Sequence, residues 1–175
     1  MSTIDIGVRE VPGGLISPQL VRSLNVGDQV QVRGPVGRFT WTKADGGPVL
    51  LVGAGSGMVP LMSMIRYAAA ADLEIPMRLL CASSSFDNSF YHRELTDLAE
   101  QYPWLEVVHT FTRDSSDVRA THHRRIDRRM VANAVAGQSP RRVYICGPPA
   151  MVEDVQRWLG ELGVEPARVR VEKYD

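Results

Sequence analysis

Residues 49–67 constrain the fold of this chain most, because they combine an apolar strand, a glycine-rich turn and a helix. The four consecutive apolar residues 49–52 predict the strand. Three glycines then stand at alternate positions: Gly53, Gly55 and Gly57. Glycines allow positive φ and close approach of a ligand, and the helix that Pro60 opens offers unpaired N–H groups to a phosphate. The stretch therefore predicts a phosphate-binding turn.

Met58 leaves a second interpretation of this turn open. The dinucleotide-binding pattern G-x-G-x-x-G needs a third glycine, and Met58 stands at that position. The same succession of strand, turn and helix is compatible with tight packing alone. The choice between the two interpretations depends on the rest of the chain.

Composition and charge exclude several classes of protein. The chain has 175 residues, of which 44% are hydrophobic, and its formal net charge is zero. It therefore has no basic field that would attract nucleic acid or an anionic membrane. No apolar run reaches the roughly 18 residues of a membrane span, and the first residues show no signal-peptide pattern. Cys81 and Cys146 lack the spacing of a disulfide framework, a zinc site or an iron–sulfur cluster. We expect a cytoplasmic protein with no metal site.

The order of the patterns predicts two domains, residues 1–43 and residues 44–175. The runs 4–11 and 29–39 alternate like β-strands, but so few strands cannot sustain a core alone. From residue 49 onward, apolar strands alternate with helical patterns, which predicts an α/β fold with a five-stranded parallel sheet and helices on both faces. The expected strands are residues 49–52, 77–82, 105–110, 142–146 and 169–171. The expected helices are residues 60–71, 90–101, 126–136 and 149–162.

Ligands of such sheets bind beyond the carboxyl ends of the strands. The candidate site residues are therefore the glycine turn and residues 83–85, 111–113 and 146–149. Each has an ordinary explanation when it is taken alone. Cys146 fits a small buried thiol, and Arg113 fits a solvated surface arginine.

Five motifs occur together in this chain, and in their order they resemble the ferredoxin–NADP⁺ reductase superfamily of flavin-dependent reductases. The similarity runs from about Ile4 to the end of the chain. The motifs are GGLISPQL (residues 13–20), RGPVGRF (33–39), GSGMVP (55–60), CGPPAMV (146–152) and the run VEKY (171–174). The resemblance implies a partial antiparallel β-barrel for FAD followed by a nucleotide-binding α/β domain.

The resemblance also implies roles for individual residues. The residues that would hold the FAD pyrophosphate are Gly13, Gly14, Ile16 and Ser17. The residues that would hold the nicotinamide nucleotide are Gly53, Gly55, Ser56, Gly57, Pro60, Ser84, Thr112, Arg113, Gly147, Pro148 and Met151. Cys146 would position the reacting carbon, Glu172 would tune polarity or relay protons, and Tyr174 would cover the flavin.

The chain departs from the superfamily's pattern in two ways that bear on cofactors. The flavin-binding motif R-x-Y-S is expected before Ile4 and does not occur in the sequence, so we expect the N-terminal part of the barrel to be lacking. Ser84 stands where relatives often carry a nucleotide-binding arginine. Arg113, preceded by Thr112, matches a pair that grips the 2′-phosphate, and no acidic residue at 83–85 is present to bind a free 2′-hydroxyl. We therefore expect NADP(H) to be preferred over NAD(H).

The implied activity is transfer of a hydride from NAD(P)H to FAD and of electrons to a separate acceptor, such as a ferredoxin or an oxygenase component. The missing R-x-Y-S motif favours an alternative from another class. The chain would then be a flavin-free NAD(P)-binding module, or one half of a two-chain reductase without turnover of its own. An unpaired barrel edge would also favour a homodimer or a partner chain that completes the barrel.

Overall fold

The computed structural model describes residues 4–34, 36–137 and 139–174. The chain forms two compact units, Met1–Arg38 and Phe39–Asp175. The boundary between the two units lies a few residues before residue 43, after which the sequence predicts the domain boundary. That domain boundary stays a prediction.

The second unit is built on a five-stranded sheet in which every neighbouring pair is parallel. Its strands are β1 (Val49–Ala54), β2 (Met77–Ser83), β3 (Leu105–Phe111), β4 (Arg142–Gly147) and β5 (Val169–Lys173). Their spatial order is β3-β2-β1-β4-β5. All five strands point the same way, so their carboxyl ends form one edge of the sheet. The predicted α/β fold is confirmed.

Four helices connect these strands, and each corresponds to a helix that the sequence predicts. They are α2 (Met58–Ala70), α3 (His92–Gln101), α4 (Arg128–Val135) and α5 (Pro149–Glu161). Local chemistry explains where two of them begin. Tyr91 takes a left-handed conformation (φ 59°), so α3 starts after it rather than at residue 90. The Asp127 side chain accepts a hydrogen bond from Met130 N (2.8 Å) and caps α4.

Two apolar cores cover the two faces of the sheet. Val49 and Leu51 of β1 pack on the face that carries α2 and α3, whereas Leu50 and Val52 pack on the face that carries α4 and α5. All four side chains are buried, as expected for a central strand covered on both sides.

The segment that precedes β1 belongs to the second unit. The Tyr144 hydroxyl donates to the Thr40 carbonyl (2.9 Å), and Trp41 Nε1 donates to the Gly46 carbonyl (3.0 Å). The Phe39 ring meets Tyr144 edge-on at 5.4 Å between centroids. These contacts hold the segment on the core.

The first unit differs from the prediction. Its described residues contain one short helix, α1 (Ser17–Arg22), and no β-strand, so the predicted strands at 4–11 and 29–39 are wrong for that part of the chain. A strand needs a neighbour for its backbone N–H and C=O groups, and alternation alone does not supply one. Apolar side chains such as Ile4, Val30 and Val32 are exposed. The partial barrel is thus not shown.

Candidate functional site

The glycine turn lies at the carboxyl end of β1, where Gly55–Gly57 form a single 3-10 turn that leads directly into α2. Gly55 has φ 56°, a conformation that favours glycine. A Cβ on Gly57 would overlap the Cys146 carbonyl oxygen and would lie 2.7 Å from Gly147 N. The turn therefore presses against the end of β4, and glycine is required for that approach.

Met58 explains why the third glycine of the dinucleotide pattern is dispensable here. Its side chain is buried, and its Sδ lies 2.6 Å from where a Cβ on Gly53 would be. Leu61 of α2 comes almost as close, at 2.7 Å. Because Gly53 has no side chain, Met58 and Leu61 of α2 can pack directly on the backbone of β1. The close contact between α2 and β1 is therefore made by Met58 and not by a glycine of the helix.

Gly147 marks the end of β4 and has φ 152°. A Cβ there would lie 2.8 Å from Met151 Cε and 3.3 Å from the backbone of Ala54. Pro148, which is exposed, precedes α5, and Pro149 is its first residue. The ends of β1 and β4 therefore approach each other with backbone facing backbone, leaving no room for side chains between them.

Cys146, Glu172 and Tyr174 meet at the ends of β4 and β5. Cys146 and Glu172 are register partners, and Tyr174 N donates to the Gly147 carbonyl (3.1 Å). The Tyr174 hydroxyl interacts electrostatically with both Cys146 and Glu172. Three groups that can carry or accept a proton therefore lie near one another at this edge.

The electrostatics of this cluster keep its thiol and phenol neutral. Burial first, and then the nearby Glu172 carboxylate, raise the pKa of Cys146 to about 12, against a smaller lowering by the Tyr174 hydrogen bond. Burial likewise raises the pKa of Tyr174 to about 12, with the charges of Cys146 and Glu172 adding to the effect. Cys146 can thus act by contact and shape at neutral pH, because its reactive thiolate is not formed.

The ends of β2 and β3 place a second group of predicted residues together. Thr112 N donates to the Ser83 carbonyl (3.1 Å), and Arg113 N donates to the Ser84 carbonyl (2.9 Å). The Arg113 side chain is exposed, and it has no hydrogen-bond or ion-pair partner among the described residues. A free guanidinium at this edge is available to an anion.

The predicted flavin residues lie in the first unit and form a local turn. Gly13 has φ 76°, Gly14 N donates to the Val11 carbonyl (2.9 Å), and Val11 N donates to Ser17 Oγ (3.0 Å). Ile16 is largely exposed. The turn is compatible with phosphate contacts, but Ser17 Oγ already accepts one bond.

Sequence reasoning missed a contact between the loops that follow β2 and β3. The Arg119 guanidinium lies 3.5 Å from the centroid of the Phe86 ring. No local pattern connects two residues so far apart in the chain, so only their shared place at the sheet edge reveals the pair. Within the described ranges, no group of histidine, cysteine or carboxylate side chains could hold a metal ion, and no helix there could span a membrane.

Comparison with known proteins gives this architecture a family. The profile of oxidoreductase NAD-binding domains matches residues 51–157, and that of oxidoreductase FAD-binding domains matches residues 1–41. A doubly wound parallel sheet with a glycine turn at the carboxyl end of its first strand is the architecture of dinucleotide-binding domains. The chain belongs to the oxidoreductase NAD-binding domain family, within the ferredoxin–NADP⁺ reductase superfamily.

Individual relatives agree with this assignment. The chain is 29% identical over 177 residues to the ferredoxin–NAD(P)⁺ reductase component of the naphthalene 1,2-dioxygenase/salicylate 5-hydroxylase systems of Ralstonia sp., covering 98% of this chain and 52% of that protein. It is 27% identical over 160 residues to the reductase component of propane 2-monooxygenase from Mycolicibacterium smegmatis, covering 89% and 46%. The chain therefore spans about half the length of these relatives.

A solved structure gives the same result. A cytochrome P450 reductase from Amycolatopsis superposes with a TM-score of 0.79 at 28% identity, covering 95% of this chain and 50% of that one. The predicted superfamily is confirmed. Its FAD-binding and NAD-binding domains are both represented in the chain.

Proposed function

We propose that this chain carries the nucleotide half of a flavin-dependent oxidoreductase, which passes a hydride from NAD(P)H to FAD and electrons to a separate acceptor. The observation that carries the proposal is the contact of Gly57 with the Cys146–Gly147 peptide. It brings a phosphate-binding turn and a buried thiol to the same edge of the sheet. The names of the relatives, which are reductase components of oxygenase systems, support the type of acceptor.

The glycine turn would hold the pyrophosphate of the nucleotide. Its backbone is free of Cβ atoms at Gly55 and Gly57, and Ser56 between them contributes a hydroxyl. The N–H of Met58, the first residue of α2, already donates to the Gly55 carbonyl, so phosphate contacts would come from the backbone of the turn and the Ser56 hydroxyl. Pro60 in the first turn removes no intrahelical hydrogen bond. These residues fit a dinucleotide.

The nicotinamide would lie against Gly147, Pro148 and Met151, with its reacting carbon beside Cys146. FAD, when bound, supplies the acceptor for the hydride. The role of Cys146 is positional because its pKa, raised to about 12, keeps the thiol protonated. Glu172 would tune the polarity beside the Tyr174 hydroxyl, which stays protonated because its pKa is raised to about 12.

Coenzyme selection would depend on Arg113. The exposed guanidinium can form charge-assisted bonds with a 2′-phosphate, and Thr112 and Ser84 offer hydroxyl groups beside it. Ser83, Ser84 and Ser85 include no carboxylate that would favour a free 2′-hydroxyl. We therefore propose a preference for NADP(H).

The fit to FAD is incomplete. The turn at Gly13, Gly14, Ile16 and Ser17 retains the pyrophosphate segment, but the sequence contains no R-x-Y-S motif, and the described part of the first unit contains no barrel strand. In the second candidate function, these 175 residues bind NAD(P), and flavin binds once a partner chain, a second copy or a further segment of the same chain completes the barrel.

A visible spectrum of the purified chain separates the two candidates. Bound flavin absorbs near 450 nm, and a bare nucleotide-binding module does not. Turnover of NADPH with an artificial acceptor, together with one flavin per chain, supports the complete reductase. A colourless protein that binds NADP⁺ in calorimetry supports the module, and a protein that binds neither cofactor contradicts both.

A further inference from the structure

The loops after β2 and β3 are held together by a stacked pair, Phe86 and Arg119. The guanidinium lies 3.5 Å from the centroid of the ring, within the range of a cation–π contact. The centroid of the Phe86 ring also lies 4.2 Å from that of the His92 ring and 6.3 Å from that of the Phe111 ring. Phe86 is thus seated on α3 and β3, and Arg119 covers it from the neighbouring loop.

Asp117 fixes the orientation of that guanidinium. Arg119 Nε donates to Oδ1 of Asp117 (2.8 Å), and Nη2 donates to Oδ2 (2.5 Å). The backbone N–H of Arg119 also donates to Oδ1 (3.0 Å). The hydrogen bond from Arg119 is the main cause that lowers the pKa of Asp117 to about 2, so the carboxylate remains charged. Because the guanidinium of Arg119 is bound to both carboxylate oxygens of Asp117, its flat face stays turned toward the Phe86 ring.

Backbone hydrogen bonds tie the later part of the loop after β3 back to that strand. Thr121 N donates to the His109 carbonyl (2.9 Å), and His122 N shares that acceptor (3.3 Å). The loop therefore leaves β3 at Thr112, passes through Arg119 over Phe86, and returns along the edge of the strand. Ser84 and Arg113 lie at the base of this arrangement, joined by the bond from Arg113 N to the Ser84 carbonyl (2.9 Å).

We propose that the Phe86–Arg119 pair positions Ser84, Thr112 and Arg113 for the adenosine side of the nucleotide. The inference rests on the proposed nucleotide-binding function. Phe86 and Arg119 are positioning residues that do not themselves contact the ligand. Surface loops with few buried contacts open at low free energy, and the stacked pair adds a contact between two such loops. Without the Phe86–Arg119 pair, the two loops sample other arrangements. Part of the binding free energy of the ligand is then used to order the loops, and the affinity falls.

The test measures binding of 2′,5′-ADP, which carries the adenosine side, and of nicotinamide mononucleotide, which lacks it. Arg119→Ala and Phe86→Leu should each weaken 2′,5′-ADP by about three- to tenfold and leave the mononucleotide unchanged. Phe86→Tyr keeps the ring face and should bind as the wild type does. Arg119→Lys keeps the charge without the flat fork and should fall between the wild type and Arg119→Ala. Arg125→Ala is the matched control, because it removes an exposed arginine from the same loop.

Hydrogen exchange distinguishes a local loss of order in the two loops from a loss of stability of the whole chain. The amides of Thr112 and Arg113 should exchange faster in Arg119→Ala, while the urea midpoint of the whole chain stays within its error. Unchanged affinity and exchange in Arg119→Ala would overturn the proposal, as would an equal loss of 2′,5′-ADP affinity in Arg125→Ala. If the wild type binds neither probe, the proposed function fails, and the exchange measurement still decides whether the pair orders the loops.

Discussion

Cys146 and Glu172 are register partners on β4 and β5, and their side chains point to the same face of the sheet. The carboxylate is the second cause, after burial, of the raised pKa of the thiol. The Tyr174 hydroxyl interacts electrostatically with both groups, and its own pKa is raised to about 12. This contact assembles residues from β4 and from the end of the chain into one cluster, and the first prediction depends on it.

Cys146→Ala should slow hydride transfer far more than it weakens nucleotide binding, because a positioning contact acts on the geometry of the reacting carbon. Stopped-flow reduction of a flavin-loaded preparation measures the rate. Cys81→Ala is the matched control, since Cys81 is equally buried on β2. A packing role would instead give both variants a similar loss of roughly 1 kcal/mol in stability and an unchanged reduction rate.

Gly57→Ala should destabilise the chain, because the added methyl group would overlap the Cys146 carbonyl oxygen. The atoms that the methyl group would meet belong to the backbone of one strand end and cannot turn away, so we expect a loss of about 1–3 kcal/mol in the free energy of unfolding, measured in urea. Gly160→Ala in α5 is the control, since nothing lies within 4 Å of its added methyl group. A Gly57→Ala protein as stable as the wild type would refute the close approach.

Arg113→Ala should weaken NADP⁺ by tenfold or more and leave NAD⁺ nearly unchanged. A charge-assisted bond to phosphate is worth about 1.5–3 kcal/mol, and each 1.4 kcal/mol is about tenfold in affinity. Calorimetric titration with both coenzymes measures the ratio, and Arg93→Ala on α3 controls for the lost charge. Equal losses for the two coenzymes, or none, would show that Arg113 does not read the 2′-phosphate.

His109 should make the fold sensitive to acid. Its Nδ1 is buried without a hydrogen-bond partner among the described residues. Burial first, and then the charge of His92, lower its pKa below the usual 6.5, against a smaller raising by Asp117. The unfolded chain therefore takes up this proton more readily than the folded one. The stability that neutral His109 contributes is present above about pH 6.5 and is lost as the pH falls toward its folded pKa.

His109→Phe removes this titration and should lose less stability than the wild type between about pH 7 and about pH 5. Urea midpoints across this range measure the difference. His123→Gln serves as the control, because His123 is exposed. Parallel pH curves for the wild type and His109→Phe would contradict the assignment.

The 175-residue chain should purify largely colourless and show little diaphorase activity. Each charge-assisted phosphate contact that R-x-Y-S would provide is worth about 1.5–3 kcal/mol, so the loss of two or three such contacts lowers flavin affinity by several orders of magnitude. Adding a segment with that motif, in the same chain or as a partner chain, should restore the yellow colour and turnover. A preparation of this chain that is active and carries one flavin per chain would contradict the prediction.

The sequence alone determined the architecture of the second unit. Apolar runs and helical periodicity are local properties, so they predict five strands and four helices within a few residues of the observed bounds. Parallel strands with helical crossovers place their carboxyl ends on one edge, and this rule by itself assigns Ser84, Arg113 and Cys146 to the same edge. Alternation in the first unit failed as a guide, because a strand is defined by its neighbour and not by its own pattern.

Only the tertiary structure decided which residues touch across that edge. The need for glycine at Gly57 comes from the Cys146 carbonyl, and the packing of Met58 on Gly53 replaces the missing third glycine. The Phe86–Arg119 pair joins two loops that follow different strands. Sequence periodicity determines which face of the sheet a side chain lies on. The order and register of the strands determine which residues of the neighbouring strands it contacts, and the register is fixed only when all five strands pack together.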